Sequence, residues 1–457
     1  MDLAGKRVLI VGMGASGRAA ARLAVSRGAV VIGADLRTDV EDVRGVSLEL
    51  GPHRRSTFVG ADLIVVSPGV PSDQPDIVAA EARGVPVVGE LGFAWQFVNV
   101  PAIGVTGTNG KSTVTWFISQ LLEAAGLRAF VGGNLGNPLS NAITRSTPGP
   151  PGSVGRDSST GNLCFESASV ALRPRIARST PGPPVDGGDY DVMVLEVSSY
   201  QLERPNGFHP HIGVILNLTP DHLKRHGDMD TYGATKCRIF EQMGPEDWAI
   251  VCHGDSRLRD LSSQMPGQRL WLDGLPGFIR KDRQIELEWQ GSKKGLDLSA
   301  FAIPGAHNLS NAATAALCSL LAGADFELVQ KSIARLKPLA HRMEVVGEIH
   351  GVQWINDSKA TNVDATWVAV TGLDRPAVVL LGGEAKGPGF AILEKGLAHH
   401  RAVVTFGGSG DTIADELKSV GIVCIQEKTM ADAVKMAVSL AKKGDAVLLS
   451  PGCASFD

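Results

Sequence analysis

Short apolar runs recur along this chain, each closed by glycine and small polar residues and followed by a stretch with helical spacing of apolar positions. Residues 7 to 35 form the first such unit: an apolar run from Arg7 to Val11, a turn Gly12-Met-Gly14-Ala-Ser-Gly17, a helix through Arg27 and a second run from Val30 to Ala34. That pattern predicts a β-α-β crossover. A strand at Leu63 to Val66, the loop Ser67-Pro-Gly-Val-Pro71, a helix around Asp76 to Arg83 and a short strand at Val87 complete a first α/β unit, expected to span residues 1 to 93. A second unit, 94 to 338, opens on the strand Ala102 to Thr106, with a helix from near Lys111. It continues through buried-looking strands at Val192 to Val197 and Ile212 to Leu216, and through a long apolar helix that begins at His307-Asn-Leu-Ser-Asn311 and runs to about Leu321. After a linker near Pro338 the rhythm restarts in a third unit, 339 to 457. Its strands are Gln353 to Ile355, Val378 to Leu381, Val403 to Phe406 and Ala446 to Leu449, with helices near Phe390, Asp411 and Met430. Strand-helix alternation of this kind predicts an α/β protein of three domains, each a mainly parallel sheet flanked by helices.

One segment breaks the rhythm. Arg145-Ser-Thr-Pro-Gly-Pro-Pro151 recurs as Arg178-Ser-Thr-Pro-Gly-Pro-Pro184 around a Ser-, Gly- and Arg-rich stretch. It reads as a mobile surface insert bounded by a direct repeat, because proline and glycine at that density resist packing and a surface loop costs little entropy.

Composition narrows the partners. The 457 residues are 44% hydrophobic and 20% charged, with a formal charge of −4, which argues against a nucleic-acid or anionic-membrane partner. No run approaches the roughly 18 uncharged apolar residues of a membrane span. The six cysteines are widely spaced, without a C-x-x-C pair, so neither disulfides nor structural zinc is expected and a cytoplasmic location follows. The charge balance favours a monomer.

The strongest chemical signal is Gly104-Val-Thr-Gly-Thr-Asn-Gly-Lys-Ser-Thr113, between a strand and a helix. Glycines let the backbone approach a polyphosphate, amides at a helix N-terminus face the anion, Lys111 adds a cation and the Ser112 hydroxyl can ligate Mg2+. Its spacing departs from G-x-x-x-x-G-K-[ST], since Val105 stands where the first glycine belongs. The glycine turn after the first strand points to a nucleotide or phosphate-bearing ligand, or to a tight turn needed only for helix-sheet packing; Asp35 ends the second strand, where an acid can meet a ribose. Glu196, at the end of a strand facing the Lys111 loop, suits a further Mg2+ ligand. The runs Asn217-Leu-Thr-Pro-Asp-His222, Asn356-Asp-Ser-Lys-Ala-Thr-Asn362 and Gly382-Gly-Glu-Ala-Lys386 also follow strands, and His341-Arg342 lies near the expected hinge, where an arginine can reach a transferring phosphoryl group. Lys236 taken alone is a solvated helix lysine.

Taken together, Gly107-Thr-Asn-Gly-Lys-Ser112, the strand-end Glu196, the helix lysine and His307-Asn-x-x-Asn311 resemble the Mur ligases, ATP-dependent enzymes that build the peptidoglycan stem peptide, over nearly the whole chain. Ser198-Ser-Tyr-Gln-Leu-Glu203, Asn356-Asp-Ser-Lys-Ala-Thr-Asn362 and Ser450-Pro-Gly-Cys-Ala-Ser455 look like the type that adds D-glutamate to UDP-N-acetylmuramoyl-L-alanine. The resemblance implies a Rossmann-like N-terminal domain, a P-loop ATPase-like central domain and a Rossmann-like C-terminal domain. It also implies an acyl-phosphate mechanism that serves cell-wall synthesis, cell shape and division. On the same ground Gly14, Ala15, Asp35, Leu36, Arg37, Ser67 and Gly69 are expected to hold the UDP moiety, and Gly107, Thr108, Asn109, Gly110, Lys111, Ser112, Thr113, Asn308, Asn311, Arg342 and Asp357 the ATP. Two Mg2+ ions are implied, with Ser112, Glu196, His222 and a carbamylated Lys236 as ligands; Asn134 and His222 would lie beside the sugar-peptide substrate, and Lys359, Thr361, Lys386 and Ser455 would receive D-glutamate. Lys111, Glu196, His222, Lys236 and Arg342 are the expected catalytic set. The sequence stops at Asp457, where family members usually continue, so weakened D-glutamate binding is expected. The alternatives are a related or folylpolyglutamate-type ligase using another amino acid, a tail-truncated or non-catalytic relative, and an NAD-dependent dehydrogenase, which would leave the Lys111 loop unused.

Overall fold

A computed structural model describes residues 1–144, 190–384 and 389–453. The repeat-bounded insert, Lys386 and Ser455 lie outside the described residues. Three sheets carry the chain. The first has five parallel strands in the order Val46–Leu50, Val30–Asp35, Arg7–Val11, Leu63–Val66, Val87–Gly89. The order reverses at Arg7–Val11, so the Gly12 turn and the Ser67 loop face each other across the crevice where open sheets bind ligands. Ser67 Oγ donates to Gly12 O at 2.5 Å, and an added Cβ on Gly17 would come within 1.9 Å of that same carbonyl. Glycine at 17 is therefore a packing requirement of the turn.

The second sheet has nine strands, with Ala102–Thr106 between Val192–Glu196 and Ile212–Ile215 in parallel register. Val105 pairs with Glu196 inside this sheet and is fully buried, which accounts for the displaced glycine: position 105 is strand, and the phosphate loop begins two residues later. Three strands at one end of this sheet, Gly277–Lys281, Gln284–Trp289 and Ser292–Asp297, are joined antiparallel and were not foreseen from the sequence. The outermost, Ser292–Asp297, is exposed and charged (Lys293, Lys294), which is the character of a protected edge and not of a buried run.

The third sheet is parallel over Val352–Asn356, Ala446–Leu449, Ala377–Gly382, Ala402–Phe406 and Cys424–Gln426, with Glu344–Ile349 added antiparallel at one edge. One apolar cluster runs without a break from Leu3, Val8 and Phe93 into Phe130, Met193, Tyr232 and Phe240, so the first two sheets share a core. The third sheet has clusters of its own on its two faces. Among the described residues no helix is long and apolar enough to cross a membrane.

Candidate active site

The C-terminal ends of the second sheet's central strands meet the strand-end loops of the third sheet at an open cleft of about 1260 Å³. Its wall includes Thr108, Asn109, Gly110, Lys111, Ser112, Asn134, Glu196 and His222 from one side, and Arg342, Lys359 and Thr361 from the other. A connected pocket is lined by Asn109, Gly110, Thr113, Asn311, Arg342 and Asp357, together with Asn217, His307 and Met343. Thus most of the expected ATP and D-glutamate positions that the structure describes converge on one place.

Local chemistry explains how. Gly107 has φ of +142°, and a Cβ there would press on Leu216 at 3.0 Å, so only glycine turns the chain out of the strand. Asn217 Oδ1 accepts from Thr108 N and Asn109 N, bracing the loop from the next strand. Lys111 opens the helix Lys111–Ala124, and its Nζ donates to Gly107 O at 3.0 Å and Thr108 O at 2.7 Å. Burial lowers its pKa, against the opposing pull of Glu196.

Lys236 is 1% exposed. Its Nζ donates to the same Gly107 carbonyl at 2.9 Å and lies 4.4 Å from the Tyr232 ring centroid. Burial, and secondarily Lys111, holds its pKa well below the ordinary lysine value. The solvated-lysine reading is thereby overturned: the helix Met229–Cys237 turns this residue inward under the phosphate loop. Tyr232 stands one helical turn before Lys236 on the same face, which brings ring and ammonium together, but that i, i+4 spacing does not by itself distinguish a buried lysine from a solvated one.

Glu196 is 3% exposed; its Oε1 accepts from Asn134 Nδ2 at 2.7 Å, and its Oε2 has no hydrogen-bond partner. A buried carboxylate oxygen left open beside a hydroxyl-bearing phosphate loop is what a hard cation takes. Among the described residues no group of three His, Cys, Asp or Glu side chains could hold a metal ion, so Mg2+ would depend on Glu196, the Ser112 hydroxyl and oxygens from phosphate. The donor set fits that mode of binding.

Two expected positions differ in detail. Asn308 is buried behind the pocket wall, donating to Pro304 O and accepting from Asn311 Nδ2 at 3.2 Å, so it steadies Asn311. The Asp35 carboxylate is already engaged: it accepts from Met13 N, Arg37 N and the Arg37 guanidinium, which hold its pKa down to about 2, with the Arg37 side chain the largest cause. It orders the turn and Arg37. Gly14, Ala15, Leu36, Arg37, Ser67 and Gly69 sit at the carboxyl end of the first sheet, with Leu36 exposed.

That end is tied to the central sheet. Arg225 holds Glu203 in a two-bond pair at 2.7 and 2.8 Å and donates to Val70 O at 2.9 Å, while Arg204 pairs with Glu81. Asp221 also faces the cleft, where Asn362 Nδ2 reaches its Oδ2 at 3.4 Å.

Comparison with known proteins matches this architecture. The N-terminal domain model of the MurD-like Mur ligases covers residues 6–89, the Mur ligase middle domain 179–319 and the glutamate ligase domain 341–453. A UDP-N-acetylmuramoylalanine–D-glutamate ligase from Koribacter versatilis is 35% identical, across 100% of this chain and 94% of the relative. One from Desulfatibacillum aliphaticivorans is 36% identical, across 100% and 95%. Among solved structures, MurC from Thermotoga maritima aligns with a TM-score of 0.57 at 18% identity, covering 98% of this chain and 96% of its own, and shares the fold. MurF from Acinetobacter baumannii does so at 0.58 and 16%, covering 99% and 88%. The chain belongs to the Mur ligase family, and within it to the MurD type.

Proposed function

We propose that this chain joins D-glutamate to the L-alanyl carboxylate of UDP-N-acetylmuramoyl-L-alanine at the expense of ATP, in the cytoplasmic assembly of the peptidoglycan precursor. The observation that carries the reading is the convergence of the phosphate loop, the open Glu196 oxygen and the Lys359–Thr361 loop on one cleft. The full-length similarity to D-glutamate ligases supports the choice of amino acid.

A carboxylate is a poor acyl donor, so one of its oxygens first attacks the γ-phosphorus and ADP leaves. The resulting acyl phosphate is attacked at carbon by the D-glutamate amine; the amine loses a proton and phosphate departs. Lys111 and the loop amides face the charge that builds on the transferring group, and Arg342 meets it from the other wall of the cleft. Asn311, Asp357 and Met343 line the pocket offered to the nucleoside. Ser67, Val70 and the Gly12 turn would hold the UDP end, kept in register with the cleft by Arg225. Lys359 and Thr361 are assigned to D-glutamate, with Lys386 and Ser455 as further candidates.

Bound Mg2+ would supply Lewis-acid charge neutralisation on the phosphates. Ser112 and Glu196 would hold one ion, His222 and Lys236 a second, the lysine after reaction of its neutral amine with carbon dioxide. Burial that suppresses protonation of Lys236 supports this, because only the free amine is nucleophilic.

The test is ATP-dependent phosphate release with UDP-N-acetylmuramoyl-L-alanine, offering D-glutamate, L-glutamate, L-alanine and L-lysine separately. Release confined to D-glutamate is expected. Release with another amino acid would favour a sister ligase, and silence with all four would overturn the catalytic reading.

A further inference from the structure

Glu90 takes no part in the proposed reaction, yet it is a carboxylic acid sealed inside the molecule, 1% exposed and without an ion-pair partner among the described residues. It opens the helix Glu90–Trp95 directly after the first sheet's strand Val87–Gly89. Its Oε1 accepts from Ser140 N at 3.0 Å and from Ser140 Oγ at 2.7 Å, across 50 positions, while its Oε2 is enclosed without a hydrogen-bond partner. Burial pushes its pKa up, against the pull of the two Ser140 bonds. Leu91, Phe93, Leu139 and Ile143, its neighbours along the chain and those of Ser140, belong to the apolar core that the first two sheets share. An orphaned polar oxygen in such surroundings costs about 1–3 kcal/mol, so an apolar side chain would serve packing better. What distinguishes Glu90 is the bond its other oxygen makes.

Ser140 stands near the start of the helix Leu139–Thr144, and the turn before that helix leads to the open Glu196 oxygen. Asn137 O accepts from Gly133 N at 2.8 Å and Asn137 Oδ1 from Asn141 Nδ2 at 3.1 Å, so the strand Ala129–Gly133 and the helix are joined by one closed turn. That turn has no slack. A Cβ on Gly132 would come within 2.3 Å of Asn137 O, and one on Gly133 within 2.3 Å of Glu196 O. At the near end Asn134 N donates to Glu196 O at 2.8 Å, and Asn134 Nδ2 occupies Glu196 Oε1 at 2.7 Å, leaving Oε2 open. At the far end, Glu90 holds Ser140.

We infer that Glu90 is a positioning residue for the cation site: by holding Ser140 it fixes the turn that carries Asn134, and with it the orientation in which Glu196 offers its free oxygen to a divalent cation. The inference rests on the reading of Glu196 as a cation ligand. Loss of the groups that orient a ligating side chain costs roughly 10–100-fold in metal affinity. Glu90 acts through Asn134 and not on Glu196 directly, so the lower end of that range applies.

The decisive experiment uses the full chain and the variants Glu90→Ala, Glu90→Gln, Ser140→Ala and Glu196→Gln. Two readouts are taken: Mn2+ binding in the presence of a non-hydrolysable ATP analogue, and Tm. Glu90→Ala is expected to weaken Mn2+ binding about 10-fold, and Glu196→Gln at least as far. Ser140→Ala removes one of the two bonds and should weaken binding by less; it carries the test if Glu90→Ala does not fold. Glu90→Gln keeps an oxygen that accepts from Ser140 and should bind Mn2+ as the parent does. A lowered Tm with parent-like Mn2+ affinity in Glu90→Ala and Ser140→Ala would reduce Glu90 to a support of the fold and overturn the inference. Equal losses in Glu90→Gln and Glu90→Ala would also overturn it, because the accepting oxygen would then not be what matters. Unchanged Mn2+ binding in Glu196→Gln would remove the ligand reading, and this inference with it.

Discussion

Single side chains around the phosphate loop are defined by what surrounds them, and the two lysines show it best. Lys111 and Lys236 donate to one carbonyl, that of Gly107, but only Lys236 is sealed from solvent. We predict that a carbamate carbon signal appears when the protein is equilibrated with carbon-13 bicarbonate and disappears in Lys236→Ala; its absence from the parent chain would count against the modified ligand. Asp357 offers a test through stability. It is 3% exposed, accepts from Met343 N and Ser450 Oγ, and burial raises its pKa from 3.8 to about 6. An acid whose folded pKa is raised binds more protons folded than unfolded between those values. Its contribution is therefore favourable at low pH and is lost as pH rises through about 4 to 6, by up to about 3 kcal/mol. Asp357→Asn should remove that share of the pH dependence, as read by urea denaturation at pH 4.5 and 7.5. Lys111 was legible as chemistry because glycine, lysine and serine at fixed spacing have few other uses. Lys236 was not, since no local pattern tells a buried helix lysine from a solvated one.

At the level of elements, the phosphate loop depends on a turn that starts at Gly107. Gly107→Ala forces a side chain into a φ that ordinary residues rarely adopt and against Leu216. The expected cost is about 1–3 kcal/mol of stability. Because the displaced carbonyl is the one both lysines bind, the KM for ATP should also rise; a variant with parent-like Tm and KM would contradict the account. The parallel strands were readable because they are buried on both faces and appear as unbroken apolar runs. Edge elements were not. Glu344–Ile349 has Val345, Val346 and Ile349 exposed, and Ser292–Asp297 is mostly polar, so neither carries the signature of a buried strand.

For the whole molecule, the distribution of cores sets what can move. The first two sheets share one apolar cluster, whereas the third is packed on its own and is joined through the segment at Lys337, whose N–H and C=O are both bound by Gln120 from the phosphate-loop helix. Chemical denaturation should therefore be non-two-state, with hydrogen exchange showing the third sheet opening separately from the first two; a single cooperative transition would argue against this division. The link between the first sheet and the cleft runs through Arg225. Arg225→Lys, which cannot keep the two-bond pair and the Val70 contact together, should raise the KM for the UDP-linked substrate about 10-fold and leave that for ATP nearly unchanged.

The sequence by itself determined the α/β class, the three successive units, the phosphate loop and the family, because these rest on local periodicity and on motifs whose chemistry lies within a few consecutive residues. Only the tertiary structure decided which polar residues share a site. Asn134 meets Glu196 across 62 positions, and Lys236 reaches Gly107 across 129. Asp35 pairs with Arg37 at the end of its strand, and Asn308 accepts from Asn311 inside the wall of the nucleotide pocket. Those outcomes depend on burial and on the pairing of distant groups, which no window along the chain contains.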